Sequence, residues 1–200
     1  YSSSKGAAEI AIASWRRSFF NPVDYGMKHH VALASVRAGN VIGGGDWALD
    51  RIIPDCIKAL EAGKDIDIRS PKAIRPWQHV LEPLSGYMLL ATKMWEEPTK
   101  YCEGWNFGPR AESITPVWDI ATDVIKIYGS GKLNDMSNPN VLHEAKLLML
   151  DISKAKFQLG WEPRMNIHRC IELTVDWYKR YKTEDAYDIC LDEINQFINE

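Results

Sequence analysis

Two residues at the start of the chain, Tyr1 and Lys5, have the types and the spacing needed for proton transfer. On a helix, a separation of four residues places two side chains on one face. A free tyrosine has a pKa of about 10, which is too high for a base at neutral pH, and a nearby cation lowers that pKa by favouring the phenolate. Such a pair could take a proton from a hydroxyl group and return it. The same spacing also occurs by chance on ordinary helix surfaces.

Four polar residues further along the chain have the chemistry needed to bind an anion. Arg51, Arg69 and Arg75 carry guanidinium groups, which bind phosphate oxygens through paired hydrogen bonds. Asn40 lies towards the carboxyl end of the apolar run at residues 31–42, just past residues 31–39 of the predicted strand, where open α/β sheets bind ligands. Three of the four also have a simpler explanation: Arg51 could cap a surface helix, Arg69 could merely end a short strand, and Asn40 could be a turn residue.

Three consecutive glycines, Gly43 to Gly45, follow the predicted strand. Glycine lets the backbone approach a ligand closely because it has no Cβ. The cluster lacks the G-x-G-x-x-G spacing of a dinucleotide fingerprint, and no predicted helix begins directly on it. It therefore predicts a close approach of backbone to a ligand, and not the phosphate loop of a dinucleotide site.

The composition of the chain excludes several classes of protein. Among 200 residues, 46% are hydrophobic and 26% are charged, with 24 Lys and Arg against 27 Asp and Glu. This is a globular composition, and a net charge of −3 argues against nucleic-acid binding through bulk charge. The four cysteines lie far apart with no CxxC pair, so neither a zinc ribbon nor a disulfide framework is predicted, and a reducing compartment is the simplest expectation. No other set of side chains converges on a metal site.

The candidate proton-transfer and anion-binding residues lie on or beside predicted strands and helices that alternate along the chain. This alternation is the pattern of an α/β fold. Strands are predicted over residues 31–42, 65–69, 78–80 and 105–107. Helices are predicted over residues 1–20, 51–62 and 82–95, from Thr115 as N-cap to Gly129, from Asp151 to Gly160, and over a last helix with Ile167, Ile171, Thr174 and Tyr178 on one face. Residues 129–142 form the longest predicted loop.

Several segments of the chain resemble one enzyme family. They are Arg37–Trp47 (RAGNVIGGGDW), Asp50–Asp55 (DRIIPD), Ile74–Tyr87 (IRPWQHVLEPLSGY), Gly104–Pro109 (GWNFGP) and Leu159–Pro163 (LGWEP). Together with the Tyr-x-x-x-Lys motif, they resemble the extended short-chain dehydrogenase/reductases and, among these, the CDP-glucose 4,6-dehydratases. The resemblance covers nearly the whole chain. Its Asn-Phe-Gly and Leu-Gly-Trp-x-Pro motifs are general among nucleotide-sugar enzymes of this fold, whereas GGGDW and RPWQHV are more specific.

The resemblance implies a fold and a domain organisation. We expect the end of a Rossmann-type parallel sheet followed by a small mixed α/β substrate-binding domain. Residues 1–47 would be a remnant of the NAD-binding domain, and residues 48–200 mainly a sugar-nucleotide-binding domain, with segments near 76–95 returning to the Rossmann part. Because the chain begins at Tyr1 and contains no dinucleotide phosphate loop, we expect it to be the carboxy-terminal portion of a longer protein and inactive in isolation.

The resemblance also implies a reaction and a cofactor. Enzymes of this kind use NAD to oxidise C4 of CDP-glucose, eliminate water across C5 and C6, and return the hydride to C6, a step in deoxysugar biosynthesis such as that of lipopolysaccharide O-antigens. Tyr1 would be the base at the C4 hydroxyl group. Lys5 would stabilise the phenolate and bind the nicotinamide ribose, so both residues would also contact the cofactor.

The remaining implied roles concern the substrate and the assembly. The residues implied in substrate binding are Asn40, Arg51, Arg69 and Arg75 at the diphosphate, His79 as a wall of the site, and His143 and Glu144 near the ribose. His79 is at least as well explained as a hydrogen-bonded structural histidine, and the pair at 143–144 as solvated residues. We further expect a homodimer in the cytoplasm, with no metal, nucleic-acid or membrane partner.

Two other functions remain open from the sequence. The chain could belong to another extended short-chain enzyme, such as a sugar-nucleotide epimerase or a dehydratase acting on another nucleotide sugar. It could also be a noncatalytic module that binds sugar nucleotides without NAD. No spacing in the chain encodes the base of the nucleotide, so the preference for cytosine rests on the resemblance alone.

Overall fold

The computed structural model describes residues 2–138 and 148–200. Within these ranges the helices are α1 (Ser2–Ser18), α2 (Ile52–Glu61), α3 (Leu81–Glu96), α4 (Val117–Tyr128), α5 (Ile167–Arg180) and α6 (Ala186–Asn199). The strands are β1 (Ser35–Ala38), β2 (Asn40–Ile42), β3 (Ile66–Ile68), β4 (Ile74–Arg75), β5 (Trp77–His79), β6 (Gly104–Phe107), β7 (Thr115–Pro116) and β8 (Leu133–Asp135). A π-helical turn covers Ala155–Leu159. The predicted α/β class is confirmed.

The chain divides into two compact units, each assembled from three stretches of sequence. The first contains the described residues of Tyr1–Ala38, Leu84–Phe107 and Asp151–Glu162. The second contains the described residues of Gly39–Pro83, Gly108–Leu150 and Pro163–Glu200. Each unit has its own hydrophobic core.

The first unit is organised around one parallel strand pair. Strand β1 pairs with β6, with Ser35 opposite Gly104. The core consists of the buried residues Leu90, Tyr101, Trp105, Phe107, Ala155, Leu159 and Trp161. Helix α1 is attached to the β1 region through Glu9, whose carboxylate accepts a hydrogen bond from the Ser35 hydroxyl (2.9 Å) and pairs with Arg37 (3.0 Å). The side chain of Arg16 adds a hydrogen bond to the Leu33 carbonyl (2.8 Å).

The second unit packs helices around short strand pairs. Strands β2 and β5 are parallel, as are β3 and β8, whereas β4 and β7 are antiparallel. Helix α2 buries Ile53, Cys56, Ile57 and Leu60, the spacing of one apolar helix face. Helix α5 buries Ile171, Thr174 and Tyr178, as predicted.

A buried carboxyl group fixes the segment that leads into α5. The Oε1 atom of Glu82 accepts backbone N–H bonds from Arg164 (2.8 Å) and Met165 (2.7 Å). Burial raises the pKa of Glu82, and the two backbone hydrogen bonds act in the opposite direction. The side chain is only 1% exposed, so these bonds are protected from water.

Four local predictions are wrong. The strand expected over residues 31–42 is two strands separated at Gly39, because β1 pairs with β6 and β2 pairs with β5. Thr115 is not an N-cap: it lies in β7, opposite Arg75, and α4 begins after Pro116. The loop expected over residues 129–142 contains β8. A further helix, α6, follows α5, with its first turn capped by the Asp185 side chain.

Other features of the described residues agree with the sequence. Helix α4 ends at Gly129, which has a φ of 102° and thus the left-handed conformation typical of a helix C-terminus. The Asp151 carboxylate accepts the Ser153 N–H (2.8 Å) at the start of the predicted short helix. All four cysteines are free thiols. None of the helices in the described ranges is long and apolar enough to cross a bilayer. No group of possible metal ligands is found in that part of the chain.

Candidate functional site

The predicted proton-transfer pair is only partly described. Lys5 lies in the first turns of α1, where its side chain is exposed together with Ser3 and Ser4. The contacts of Glu9 and Arg16 hold this helix against the β1 region of the same unit. Tyr1 lies outside the described residues, so its pairing with Lys5 stays a prediction.

The predicted anion-binding residues all belong to the second unit. Asn40 follows β1, as expected, but it is itself the first residue of β2 and not a residue beyond the strand, since it pairs in register with Trp77. Arg75 is half-buried in β4 and donates one hydrogen bond to the Ile74 carbonyl (2.8 Å). Arg51 is the N-cap residue of α2, and Arg69 directly follows β3.

Arg51 and Arg69 are brought to the same segment of chain. This segment, residues 43–51, links β2 to α2 and is called the glycine loop below. Asp46 of the loop pairs with Arg51 (2.9 Å), and Asp50 pairs with Arg69 (2.6 Å). The two arginine side chains are 61% and 73% exposed. Exposed ion pairs contribute little to stability. Because a guanidinium has five N–H donors, either arginine could bind a phosphate group while its aspartate partner stays in place.

Asp50 has an unusual backbone conformation. Its φ of 60° lies in the left-handed region, and it is the one non-glycine residue with positive φ in the described part of the chain. Aspartate is among the few residues that tolerate this region. The conformation turns the chain just before α2, in the residue whose carboxylate binds Arg69.

At Gly43 and Gly44 the backbone approaches other side chains of the protein closely. A Cβ on Gly44 would lie 2.0 Å from Cδ2 of Trp177, and one on Gly43 would lie 3.0 Å from the Val80 side chain. The interpretation of the cluster as a place where backbone approaches a ligand is therefore unsupported at Gly44. The indole of α5 occupies the space that a larger residue would need.

His79 has the environment of a core residue. Its side chain is fully buried at the end of β5, and Nδ1 accepts a long hydrogen bond from the Leu81 N–H (3.5 Å). Burial, with a smaller contribution from the charge of Arg169, lowers the pKa of His79 to about 4. These observations favour the structural interpretation. A role as a wall of the substrate site stays a prediction.

Two predicted ribose-binding residues, His143 and Glu144, lie outside the described residues. Sequence reasoning missed Asp46 and Asp50 as partners of the arginines, and it missed the support of the glycine loop by α5. Tyr178 was predicted only as part of the buried face of the last helix. The aspartates are close to Arg51 in sequence, but the positive φ of Asp50 and the pairing with Arg69 have no local sequence signal.

Comparison with known proteins gives relatives at two levels of similarity. No protein-family model matches the chain. The chain is 48% identical over 190 residues to the CDP-glucose 4,6-dehydratase of Salmonella typhimurium strain LT2, covering 95% of the chain and 53% of that protein. It is 23% identical over 198 residues to the dTDP-glucose 4,6-dehydratase of Haemophilus influenzae, covering 89% of the chain and 51% of that protein. The chain thus spans about half the length of both curated relatives.

Solved structures show the same partial coverage. The dTDP-glucose 4,6-dehydratase of Bacillus anthracis, in complex with NAD, matches with a TM-score of 0.72 and 19% identity, over 90% of the chain and 52% of its own length. The UDP-glucuronic acid 4-epimerase of Bacillus cereus, in complex with UDP-glucuronic acid and NAD, matches with a TM-score of 0.67 and 21% identity, over 86% of the chain and 50% of its own length. The chain therefore has the fold of the matching part of these nucleotide-sugar dehydratases and epimerases, and its sequence is similar to that of a CDP-glucose 4,6-dehydratase.

Proposed function

We propose that the chain is part of an NAD-dependent CDP-glucose 4,6-dehydratase that converts CDP-glucose to CDP-4-keto-6-deoxyglucose. The observation that carries this proposal is the 48% identity to the Salmonella enzyme across 95% of the chain. The chain also contains the motifs Asn-Phe-Gly and Leu-Gly-Trp-x-Pro and the segments GGGDW and RPWQHV, on which the resemblance to these enzymes rests. The reaction is C4 oxidation, elimination of water and return of the hydride to C6.

The substrate diphosphate is assigned to the second unit. Arg51, Arg69 and Arg75 supply guanidinium groups, and Asn40 supplies an amide, for up to two phosphate groups. The exposure of Arg51 and Arg69 supports this assignment, because their remaining guanidinium donors can reach a phosphate group. His143 and Glu144 are proposed near the ribose, where a carboxylate would accept hydrogen bonds from hydroxyl groups.

The NAD-binding role is assigned to residues 1–47, and the sugar-nucleotide-binding role mainly to residues 48–200, with segments near 76–95 returning to the first domain. The grouping of residues 84–107 with the first unit supports such a return. The first stretch of the first compact unit ends at Ala38, and the second unit begins at Gly39. This boundary lies nine residues before position 48, where the proposed sugar-nucleotide-binding domain begins.

The donor chemistry at the start of α1 fits a ribose of NAD. Ser3, Ser4 and Lys5 are exposed there and provide hydroxyl and ammonium donors. Lys5 would hold the ribose and lower the pKa of Tyr1, which would take the proton from the C4 hydroxyl group. When bound, NAD would supply hydride acceptance at C4 and hydride return at C6.

We also propose that the intact protein is a cytoplasmic homodimer. In this family the tyrosine helix commonly lies at a two-fold interface. Ile10 and Trp15 of α1, and Phe19 directly after it, are 72%, 57% and 63% exposed. Exposed apolar side chains of this size support a partner for the α1 region.

The test uses a chimera in which this chain replaces the matching part of the Salmonella enzyme. The chimera is incubated with NAD and, separately, CDP-glucose, dTDP-glucose, UDP-glucose and GDP-mannose, and the products are weighed by mass spectrometry. A product lighter by one water from CDP-glucose alone is the expected result. The unmodified chain, assayed in parallel, is expected to give no turnover.

The other outcomes point to other functions. Loss of water from a different nucleotide sugar would keep the dehydratase chemistry and overturn the assignment of the base. Conversion to an isomer of equal mass would instead indicate a 4-epimerase, a class whose solved structures share this fold. Tight binding of CDP by the unmodified chain, with no turnover in the chimera, would favour a noncatalytic binding module.

A further inference from the structure

The glycine loop, residues 43–51, is supported by aromatic residues of α5. Trp177 is 7% exposed and packs against Gly44, while its ring stacks on Tyr181 with centroids 5.3 Å apart and an interplanar angle of 8°. Trp47 of the loop contacts the rings of Tyr178 and Tyr181, with centroids 5.0 and 5.3 Å away. The loop is therefore held by the second unit's core, although it carries charged, exposed residues.

One polar contact connects this support to the charged residues of the loop. The hydroxyl of Tyr178 donates a hydrogen bond of 2.5 Å to the backbone carbonyl of Asp46. The carboxylate of the same aspartate accepts the Ala48 N–H (3.0 Å) and pairs with Arg51 (2.9 Å). A continuous series of contacts thus runs from α5 through Asp46 to the Arg51 guanidinium.

The Tyr178 hydroxyl is suited to act as a permanent donor. The residue is only 1% exposed, so the hydroxyl itself is shielded from water. Burial, followed by the negative charge of Asp46, raises the pKa of Tyr178 to about 12. The hydroxyl therefore keeps its proton at neutral pH.

We propose that Tyr178 is a positioning residue, which fixes Asp46 and thereby holds the Arg51 guanidinium ready for a phosphate group of the substrate. The inference rests on the proposed function only in the identity of the ligand as a nucleoside diphosphate sugar. Holding a long side chain in place before binding raises affinity, because less conformational freedom is lost when the ligand arrives. Tyr178 itself need not touch the ligand.

The first test compares variants of the 200-residue chain by their affinity for CDP and for inorganic pyrophosphate. Tyr178→Phe keeps the ring in its packing and removes the donor, and we expect its Kd for both probes to rise about 3- to 10-fold, the usual effect of one hydrogen bond. The matched control is Tyr181→Phe, which removes a hydroxyl from the same aromatic cluster without removing a bond to the loop. It should change the Kd less than twofold.

A double-mutant cycle separates positioning from general damage. If Tyr178 acts through Arg51, Tyr178→Phe should have no further effect on the Kd in an Arg51→Ala background. An equal loss in both backgrounds would show that the hydroxyl affects binding by another route, and would overturn the proposal. So would an unchanged Kd for Tyr178→Phe in the wild-type background.

Hydrogen exchange gives a readout without ligand. Tyr178→Phe should speed exchange of amides in the glycine loop several-fold, including Ala48, and leave α4 unchanged; unchanged loop exchange would overturn the inference. If pyrophosphate bound with the effects predicted for the double-mutant cycle and CDP did not bind, the positioning role would be supported and a cytidine nucleotide would be contradicted as the ligand. Failure of the wild-type chain to bind either probe would overturn the assignment of Arg51 to a phosphate, and the inference with it.

Discussion

At the scale of single residues, the buried imidazole of His79 makes a specific prediction about acid stability. Its pKa is about 4 in the folded chain against an ordinary value of 6.5, so the unfolded chain binds the proton more readily. The stabilisation of the folded chain by neutral His79 is complete above pH 6.5. It is lost as the pH falls towards 4, by about 2 kcal/mol at pH 5 and about 3 kcal/mol at pH 4. The free energy of unfolding, measured with urea across this range, should fall accordingly.

The variant His79→Asn isolates this contribution, because it removes the titrating group. The difference in unfolding free energy between wild type and variant should shrink as the pH falls from 7 to 4. His30→Asn, which replaces an exposed imidazole, is the matched control. A difference that stays constant with pH would show that His79 is not held neutral by burial.

Gly44 gives a second prediction at this scale. The Cβ of an alanine there would be 2.0 Å from the Trp177 ring, so either the loop or the indole must move. We expect Gly44→Ala to lower the free energy of unfolding by about 1–3 kcal/mol, the usual cost of overpacking. Gly6→Ala is the control, since a Cβ on that α1 residue meets nothing within 4 Å and helix propensity favours alanine. Equal effects of the two substitutions would contradict the packing argument.

At the scale of elements, prediction succeeded where a pattern was local. Helix α2 was predicted from its apolar spacing, and the end of α4 from Gly129. It failed for β7 and β8, which contain two and three residues and pair with strands about 40 and 70 positions away in sequence. Such short strands exist only because of their partners, so no periodicity reveals them. Thr115 looked like a helix cap for the same reason.

Helix α6 was missed although its buried residues, Ile189, Glu193 and Phe197, have helical spacing. Glu193, the middle residue of the three, carries a carboxyl group, so the sequence shows no continuous apolar pattern at this spacing. In the folded chain Glu193 is 6% exposed, and its Oε1 atom is buried without a hydrogen-bond partner among the described residues. Burial and the negative charges of Asp176 and Asp192, against the attraction of Arg180, raise its pKa to about 7.

Because the pKa of Glu193 is raised in the folded chain, we expect the free energy of unfolding to fall as the pH rises. The folded pKa exceeds the ordinary value of 4.5, so the stabilisation is complete below pH 4.5 and disappears as the pH rises through 7. The change is on the order of 3 kcal/mol by pH 8. Glu193→Gln cannot ionise, so it should be the more stable protein at pH 8 and equal to wild type near pH 4.5.

Urea unfolding at several pH values measures this difference. Asp188→Asn, an exposed acid on the same helix, serves as the control. Because His79 and Glu193 have opposite pH dependences over overlapping ranges, the wild-type curve alone does not separate them, and each variant must be compared with wild type at every pH. A Glu193→Gln curve parallel to that of wild type would contradict the assignment.

At the scale of the whole molecule, the candidate site could be predicted in its residue types but not in its connections. Binding of phosphate by the guanidinium groups stays a prediction from their chemistry. The connection of Arg51 and Arg69 to the glycine loop depends on contacts between Asp50 and Arg69 and between Tyr178 and Asp46. Asp46 and Tyr178 are 132 positions apart in sequence. A single sequence contains no signal for such a contact, since either residue has many equally reasonable partners.

The distribution of these residues over two units predicts a division of roles. The residues proposed to bind the diphosphate lie in the second unit, and Lys5 lies in the first, each with its own core. In the active chimera, Lys5→Met should lower kcat at least 100-fold while leaving the Kd for CDP within about twofold, because it removes a group used in proton transfer. Tyr1→Phe should behave in the same way.

Arg75→Ala provides the opposite case. It removes a guanidinium from the proposed diphosphate ligands, and loss of a charge-assisted hydrogen bond should raise the Kd for CDP by about 10-fold or more. Steady-state kinetics and equilibrium dialysis on the same preparations measure the two quantities. If Lys5→Met and Arg75→Ala weakened CDP binding equally, the assignment of substrate binding to the second unit would be wrong. The contrast between the variants therefore tests the organisation of the molecule without depending on either rate alone.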